Sequence, residues 1–587
     1  MTVSFSRIVI STIACAALAL CGVPAAAFAG ENVTVAEQTA NDAAIQQEID
    51  ALDSLEAGED YVNDQILVTY SGQDEPEALD LEGSQSVQDA LESAKDDDMV
   101  VAAQPNYVYR LMDSTPAGEG SSSDSGTQTN DPAASAQYYL GPAGEPDGVS
   151  YRGANIQAAW DLVKSNASVT VAVLDTGVQT THDDLAANID TAHMATVTAS
   201  GAVRVGTMKD EDGHGTHVAG IVSAAANNKT GIAGASYNAT VLPIRVFADH
   251  VSTTLQCVAA IEYLDGLVES RQVTNLHVMN MSLGSYGVET STDKLLREEI
   301  SHMRKEHEVI SVCAGGNGIN NRAQTQPCFP ADWSECVAVT SLTETGENSR
   351  WSDYNVSKDI SAPGESILST ITDTYASELK SYGDDSLYVY KKNASYGYME
   401  GTSMAAPLVS GVMALLWATY PQLSASDAVA AVKNTATEVT IVSLRDLTRL
   451  ALTGSAGLID AKAAVTYVQN LAQGRGVSCL SNPAPQATVS TTPAKVKGTK
   501  ATGATRAVKV AWKSIQGTGG YQIRYRLEGS SAWKAKAVKD ALATSAKVAG
   551  LKQGKSYSVQ VRAWRIKPVG NGKLYGAWSA TKKAKAK

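Results

Sequence analysis

Between about Asn130 and Gln473 the chain repeats one pattern, a short apolar run rich in β-branched residues followed by a longer stretch suited to a helix. The runs are Val169–Leu174, Val241–Val246, His277–Met281, Val309–Cys313 and Cys336–Thr340, and helices are expected over Thr254–Val268 and Ser291–Lys305. Strands that alternate with helices form a parallel sheet covered by helices on both faces, which restricts this stretch to a doubly wound α/β fold. Functional groups in such a sheet gather at the carboxyl ends of its strands.

The flanks obey other rules. A chain of 587 residues exceeds one core, and about three or four domains are expected. Charge divides them. Residues 31–129 hold 23 acids against Lys95 and Arg110, whereas 488–587 hold 22 Lys and Arg against Glu528 and Asp540, a net of +20. Such blocks mark separate modules with separate partners. Residues 1–29 read as a signal peptide: Arg7, an apolar stretch from Ile8 to Leu20, and Ala27-Phe28-Ala29 before Gly30. A secreted protein follows from this, and no later segment is expected to cross a membrane. Residues 30–112 have strand-like runs at Gln65–Tyr70 and Met99–Arg110 and a helix at Ser86–Ala94, an α+β pattern. Residues 113–129 are a Gly/Ser-rich linker, and a second linker at 474–494 holds Pro483 and Pro485. From 495 to 587, alternating runs at Val508–Trp512, Gly520–Arg526, Ala532–Val538, Ser556–Ala563 and Ala577–Lys583 have the spacing of a β-sandwich. Beyond the signal five cysteines remain, an odd number that no complete disulfide framework can use. Cys328 and Cys336 are near enough in sequence to close a small loop, and two free or buried thiols fit equally well.

Three local signatures carry chemistry. VAVLDTGV (171–178) delivers Asp175 at the end of a buried strand, DGHGTHVAG (212–220) puts His214 at the start of a helix, and GTSMAAPLVSG (401–411) opens a helix at Ser403. Singly, these residues read as a strand-end cap, a structural histidine and a helix N-cap. Together, in the order Asp, His, Ser and separated by 39 and 189 residues, they make a nucleophile, a base and an orienting carboxylate.

With these signatures, residues from about 130 to 467 resemble a subtilisin-like serine peptidase, thermitase-like in texture. The resemblance implies that Asn317, in VCAGGNG, is the oxyanion-hole side chain, with Ala314, Gly315 and Gly316 lining the specificity pocket. It implies too that Ser282, Leu283 and Gly284, in HVMNMSLGS, pair with an extended peptide, and that GLIDAKAAV (457–465) closes the catalytic domain. The acidic 30–112 module, ending in VAAQPNYVYRL, resembles the family's inhibitory propeptide, so the chain is expected to be a zymogen that cuts itself within 112–131, the linker being the obvious place. The tail resembles a fibronectin type III domain with Trp512 and Tyr557 in its core.

The same resemblance implies a structural Ca²⁺ held by Asp131, Asp184 and Asn228 with carbonyls of Ala226, Thr230 and Ile232, an oxygen shell that suits a hard cation; no catalytic metal is implied. Leu408 and Ser410 depart from the family pattern and are expected to be packing changes; Cys328 falls near the floor of the specificity pocket, and an insertion at Thr372–Lys392 is placed at the primed side of the cleft. The expected partners are protein or peptide substrates, the propeptide as inhibitor, and anionic cell-wall polymers or glycans on the basic tail, with no nucleic acid and a monomeric state. A non-catalytic adhesion protein is the rival class; it would need a broken triad, and Asp175, His214, Ser403 and Asn317 are all present. A dedicated processing peptidase and a degradative one are equally compatible with these residues.

Overall fold

The computed structural model describes residues 35–112, 129–475 and 495–587, except 53–54, 74, 82, 84, 143–152, 164–167, 249, 287–292, 320–321, 356, 382–387, 390, 438–439, 444–447, 452–456, 514–519, 539–543 and 567–572. The expected signal at 1–29, the two linkers for the most part, and Cys479 lie outside the described residues.

The acidic module folds as α1 (Val35–Leu52), β1 (Tyr61–Tyr70), β2 (Glu77–Asp80), α2 (Val87–Lys95) and β3 (Val100–Leu111). β1 pairs antiparallel with β2 and with β3, and both helices pack on one face around Ile45, Ile66, Leu91 and Val100. Ser86 caps α2 in a capping box with Asp89, which explains why that helix was legible. The helix α1 was not anticipated: its apolar residues have almost no helical sidedness, so only packing against α2 and β3 reveals its inner face.

The middle of the chain is built on one eight-stranded sheet. Its strands are β4 (Thr170–Asp175), β5 (Ala195–Val197), β6 (Val203–Val205), β7 (Thr240–Arg245), β9 (Leu276–Met281), β11 (Ile310–Ala314), β12 (Cys336–Leu342) and β13 (Ile360–Pro363), in the order β13-β12-β11-β9-β4-β7-β5-β6. All neighbours are parallel except β5 and β6. The five runs read from sequence supply five of these strands. Two short strands, β8 (Val251–Thr253) and β10 (Leu283–Gly284), stand apart from the sheet and pair with β3.

Helices cover both faces. On one side lie α3 (His214–Ser223), α6 (Thr402–Thr419) and α7 (Ala461–Ala472); on the other lie α4 (Thr254–Glu269) and α5 (Lys294–Glu306). By length and composition α6 could cross a membrane, contrary to the reading that no later segment could, but 89% of it is buried inside the protein against the sheet. The helix α7 begins within 457–465, where a closing helix was expected, and runs on to Ala472.

Residues 495–587 form two antiparallel sheets, one from Lys500–Ala504, Ala507–Ala511 and Ser545–Val548, the other centred on Gly520–Leu527 and Ser556–Ile566. Trp512 and Tyr557 lie in the core between them, as expected, and the Tyr557 hydroxyl accepts the Lys552 N–H at 2.9 Å.

Candidate active site

The strand β4 is buried throughout and ends on Asp175, which therefore emerges at the carboxyl edge of the sheet. Its Oδ1 faces His214 Nδ1 at 2.7 Å and accepts the Thr176 N–H at 2.7 Å. His214 opens α3 because Gly213 turns the chain with φ 102°, a conformation that suits glycine. Strand and helix approach so closely that a Cβ on Gly215 would meet Asp175 Oδ1 at 3.0 Å. Asp210 holds this turn and escaped sequence reasoning. Its buried carboxylate accepts from Thr176 Oγ1, Gly213 N and the N–H and hydroxyl of Thr216. A second acid four residues before His214, in a glycine-rich run, was the available signal.

Ser403 is the second residue of α6, and its Oγ donates to the Ser282 carbonyl at 3.0 Å. Asn317 Oδ1 accepts from Thr402 N at 2.9 Å and Thr402 Oγ1 at 2.8 Å, which orients the amide and leaves Nδ2 buried without an acceptor. Ser410, expected as a packing change, is instead part of a polar chain behind the nucleophile. Its hydroxyl donates to Asn280 Oδ1, Asn280 Nδ2 donates to Ser282 Oγ, and Ser282 Oγ donates to the Ser403 carbonyl, each at 2.9 Å. Leu408 does pack in the core.

The end of β3 lies in the cleft between β8 and β10. Arg110 pairs with Gly284 and Leu111 with Leu283 on one side; Tyr109 pairs with Ser252 and Arg110 with Val251 on the other. Met112 N donates to the Ser282 carbonyl at 3.3 Å, and the Met112 carbonyl accepts the Ser403 N–H at 3.0 Å. Thus Ser282, Leu283 and Gly284 meet an extended segment of this chain's own acidic module. The opposite wall, Val251–Thr253, carries no motif and was not anticipated.

The Met112 side chain ends beside Gly284 and Cys328. A Cβ on Gly284 would meet Cys328 Sγ at 2.6 Å and Met112 Cε at 2.9 Å, so thiol and methyl terminus share one wall. A Cβ on Gly315 would strike the Val339 carbonyl at 2.6 Å, and one on Gly316 would meet the Tyr286 hydroxyl at 2.7 Å and Cys328 Cβ at 3.1 Å. Ala314 ends β11 beside them and is buried. Cys328 is a free thiol, as are Cys257, Cys313 and Cys336, so no bridge closes the 328–336 loop; Cys336 lies against Cys313 on the neighbouring strand instead. Behind the pocket Lys358 and Asp332 form a buried ion pair of 2.7 Å, completed by Asn355 Nδ2 and the Cys328 N–H. The insertion was expected at the primed side, and its residues 382–387 and 390 lie outside the described residues. Its Tyr375 and Glu378 line a cavity with Arg110 and Leu111, on the side of the residues that precede Met112.

Residues 166–476 match the Subtilase family (peptidase S8). This chain belongs to that family of serine proteases. Thermitase of Thermoactinomyces vulgaris is 33% identical over 53% of this chain and 92% of its own. An extracellular protease of Xanthomonas campestris pv. campestris is also 33% identical, over 55% of each chain, so the match spans about half of that relative. The crystal structure of fervidolysin from Fervidobacterium pennivorans, 20% identical, shares the fold with a TM-score of 0.52 over 88% of this chain and 74% of that one.

In this subtilase the residues expected to hold calcium do come together. Asp184 Oδ1 accepts from Asn228 Nδ2 at 2.7 Å, Asp184 Oδ2 accepts the Ile232 N–H at 2.9 Å, and Asp131 accepts the N–H groups of Asn227 and Asn228. Ala226, Thr230 and Ile232 lie on the same loop. The donor set is all oxygen and holds two carboxylates. Burial pushes Asp184 up to about 6, and the charge of Asp131 adds to the rise. A divalent cation would relieve both causes, so the residues fit the ion.

Proposed function

We propose that this subtilase is a secreted zymogen of a serine endopeptidase, in which Asp175, His214 and Ser403 act as the triad and the 30–112 module is its inhibitor. One observation carries the reading. The Met112 carbonyl rests 3.0 Å from the Ser403 N–H, with residues 109–112 lying along the cleft as a peptide ending at the cut would.

The chemistry then follows from this chain's own atoms. Ser403 Oγ attacks the carbonyl carbon while His214 takes the hydroxyl proton. Asp175 holds the imidazole through Nδ1 and stabilises its cation. The oxyanion takes hydrogen bonds from the Ser403 N–H and from Asn317 Nδ2, the buried donor that lacks an acceptor. The peptide C–N bond breaks as His214 returns the proton to the leaving amine, and water releases the acyl group by the same route. Applied to the chain itself, the bond cut is Met112–Asp113. That lies at the first edge of the expected 112–131 window, ahead of the Gly/Ser-rich linker.

Calcium would be held by Asp131, Asp184 and Asn228 with carbonyls of Ala226, Thr230 and Ile232, and it would supply stability without entering the reaction. For the tail, an anionic polymer is the partner its charge favours. Its support is a ladder on one sheet: Arg524 stacks on Trp533 and Trp578, and Arg562 on Trp578 and Tyr575, which holds guanidiniums flat at the surface.

The test of the central reading is Ser403→Ala. Peptide hydrolysis and labelling by a serine-directed phosphonate should vanish, and the secreted chain should keep its prosegment. Wild-type protein should begin at Asp113. Undiminished hydrolysis in the variant would overturn the triad, and a different first residue would overturn the cut.

A further inference from the structure

Tyr109 is the fourth residue back from the Met112–Asp113 bond, and its side chain ends on a buried charge. The ring is fully buried and its hydroxyl donates to Asp293 Oδ2 at 2.6 Å. Asp293 is 1% exposed and caps α5 by accepting the Leu296 N–H through Oδ1 at 3.2 Å. The same Oδ1 takes Gln104 Nε2 at 3.0 Å, and Oδ2 takes Thr254 Oγ1 at 2.7 Å. Two of these four partners, Gln104 and Tyr109, belong to the prosegment. When it departs, Asp293 loses these two partners and the cover they give, and among the described residues Leu296 and Thr254 remain on its carboxylate until another side chain takes the place of Tyr109.

A helix cap needs neither a charge so deep nor a second oxygen aimed into the cleft; serine would cap as well. A carboxylate stripped of water binds a hydroxyl strongly and penalises its absence, because the alternative is an unpaired buried charge. A site built this way rejects an analogue lacking the hydroxyl far more sharply than an apolar pocket distinguishes two side chains by size.

We propose that Asp293 is a specificity-determining residue, and that this subtilase selects peptides with tyrosine at the fourth position before the cut. Prosegment and substrate therefore compete for the same carboxylate with the same side chain. The proposal rests on the peptidase reading above and deepens it.

Two measurements test it. Enzyme obtained by expressing the full chain is given the fluorogenic peptides Tyr-Arg-Leu-Met and Phe-Arg-Leu-Met. The tyrosine peptide should have kcat/KM about 10- to 100-fold higher, the range for one hydrogen bond to a buried charge. In Asp293→Ser, which still caps α5, the ratio should fall toward one as the tyrosine peptide slows. The second measurement needs no catalysis. In the full-length Ser403→Ala chain, Tyr109→Phe should speed removal of the prosegment by added trypsin, and it should add nothing once Asp293→Ser is present. Equal rates for the two peptides, or a ratio unchanged in Asp293→Ser, would overturn the proposal, as would additive effects in the Ser403→Ala background. If neither peptide is cut while the trypsin result holds, the peptidase reading fails and the Tyr109–Asp293 recognition stands.

Discussion

At the scale of single residues the site is arranged by close approaches rather than by bulk. Asn317 shows this well: Thr402 occupies its oxygen twice, so its buried nitrogen is the atom left without an acceptor among the described residues. Asn317→Ala should lower kcat about 10²–10³-fold with little change in KM, a magnitude known from subtilisin, a member of this family. Steady-state kinetics on one peptide would check it, and an equal loss shared with KM would mean the residue shapes binding instead. Gly284 is the other telling position. Its Cβ would occupy space held by the Met112 methyl and the Cys328 thiol. Gly284→Ala should therefore reduce kcat/KM for methionine at the cut by about ten- to a hundredfold relative to alanine, measured on paired peptides. Equal losses on the two peptides would place the pocket elsewhere.

At the scale of elements the 30–112 module, the proposed prosegment, is held by polar side chains that complete helix ends. The first N–H groups of a helix have no partner within it. Asn106 Oδ1 takes the Leu255 N–H at 3.1 Å in α4, and Gln104 Oε1 takes the Leu295 N–H at 3.3 Å in α5. Beside them, Glu48 on α1 accepts the Tyr107 hydroxyl at 2.6 Å, and burial pushes its carboxyl up to about 8, with the nearby charge of Asp293 adding to the rise. The sign follows from linkage: above the ordinary carboxylate range the folded state binds more protons than the unfolded one, so stability falls as pH rises. The decline spans pH 4.5 to about 8. In the full-length Ser403→Ala chain, trypsin should remove the prosegment faster at pH 8 than at pH 5, and Glu48→Gln should flatten that dependence. A slope that survives the substitution would show that other groups carry it.

At the scale of the whole molecule, the residues proposed to hold calcium come from parts of the chain far apart in sequence: Asp131 at the start of the catalytic domain, Asp184 after β4 and the loop after α3. An ion bound only by the folded state stabilises by about 2.7 kcal/mol when its concentration is a hundredfold above Kd. A chelator should therefore lower the thermal midpoint and hasten self-digestion, while hydrolysis at low temperature persists because the ion does no chemistry. Asp184→Ala should match the chelated wild type and ignore added calcium. A variant that calcium still stabilises fully would place the ion elsewhere.

The sequence by itself determined whatever is carried by contiguous residues. The parallel sheet was readable because each strand is a short apolar run, and Asp175, His214 and Ser403 were readable because each sits in its own glycine-marked turn. Asn317, Ser282 and the pocket glycines followed from motifs of the same local kind. Only the tertiary structure decided what depends on distant segments meeting. Nothing in Val251–Thr253 announces a cleft wall, and α1 has no apolar stripe to betray its inner face. Ser410 looked like packing until the fold brought Asn280 beside it. Cys336 meets Cys313 because β11 and β12 are adjacent parallel strands that bring the two diagonally together, a neighbour that spacing along the chain could not supply. Asp293 reads as one more helix cap until Tyr109, 184 residues earlier, is laid against it. A local pattern fixes which groups a segment offers; which of them are stripped of water, and against what, is settled by packing alone.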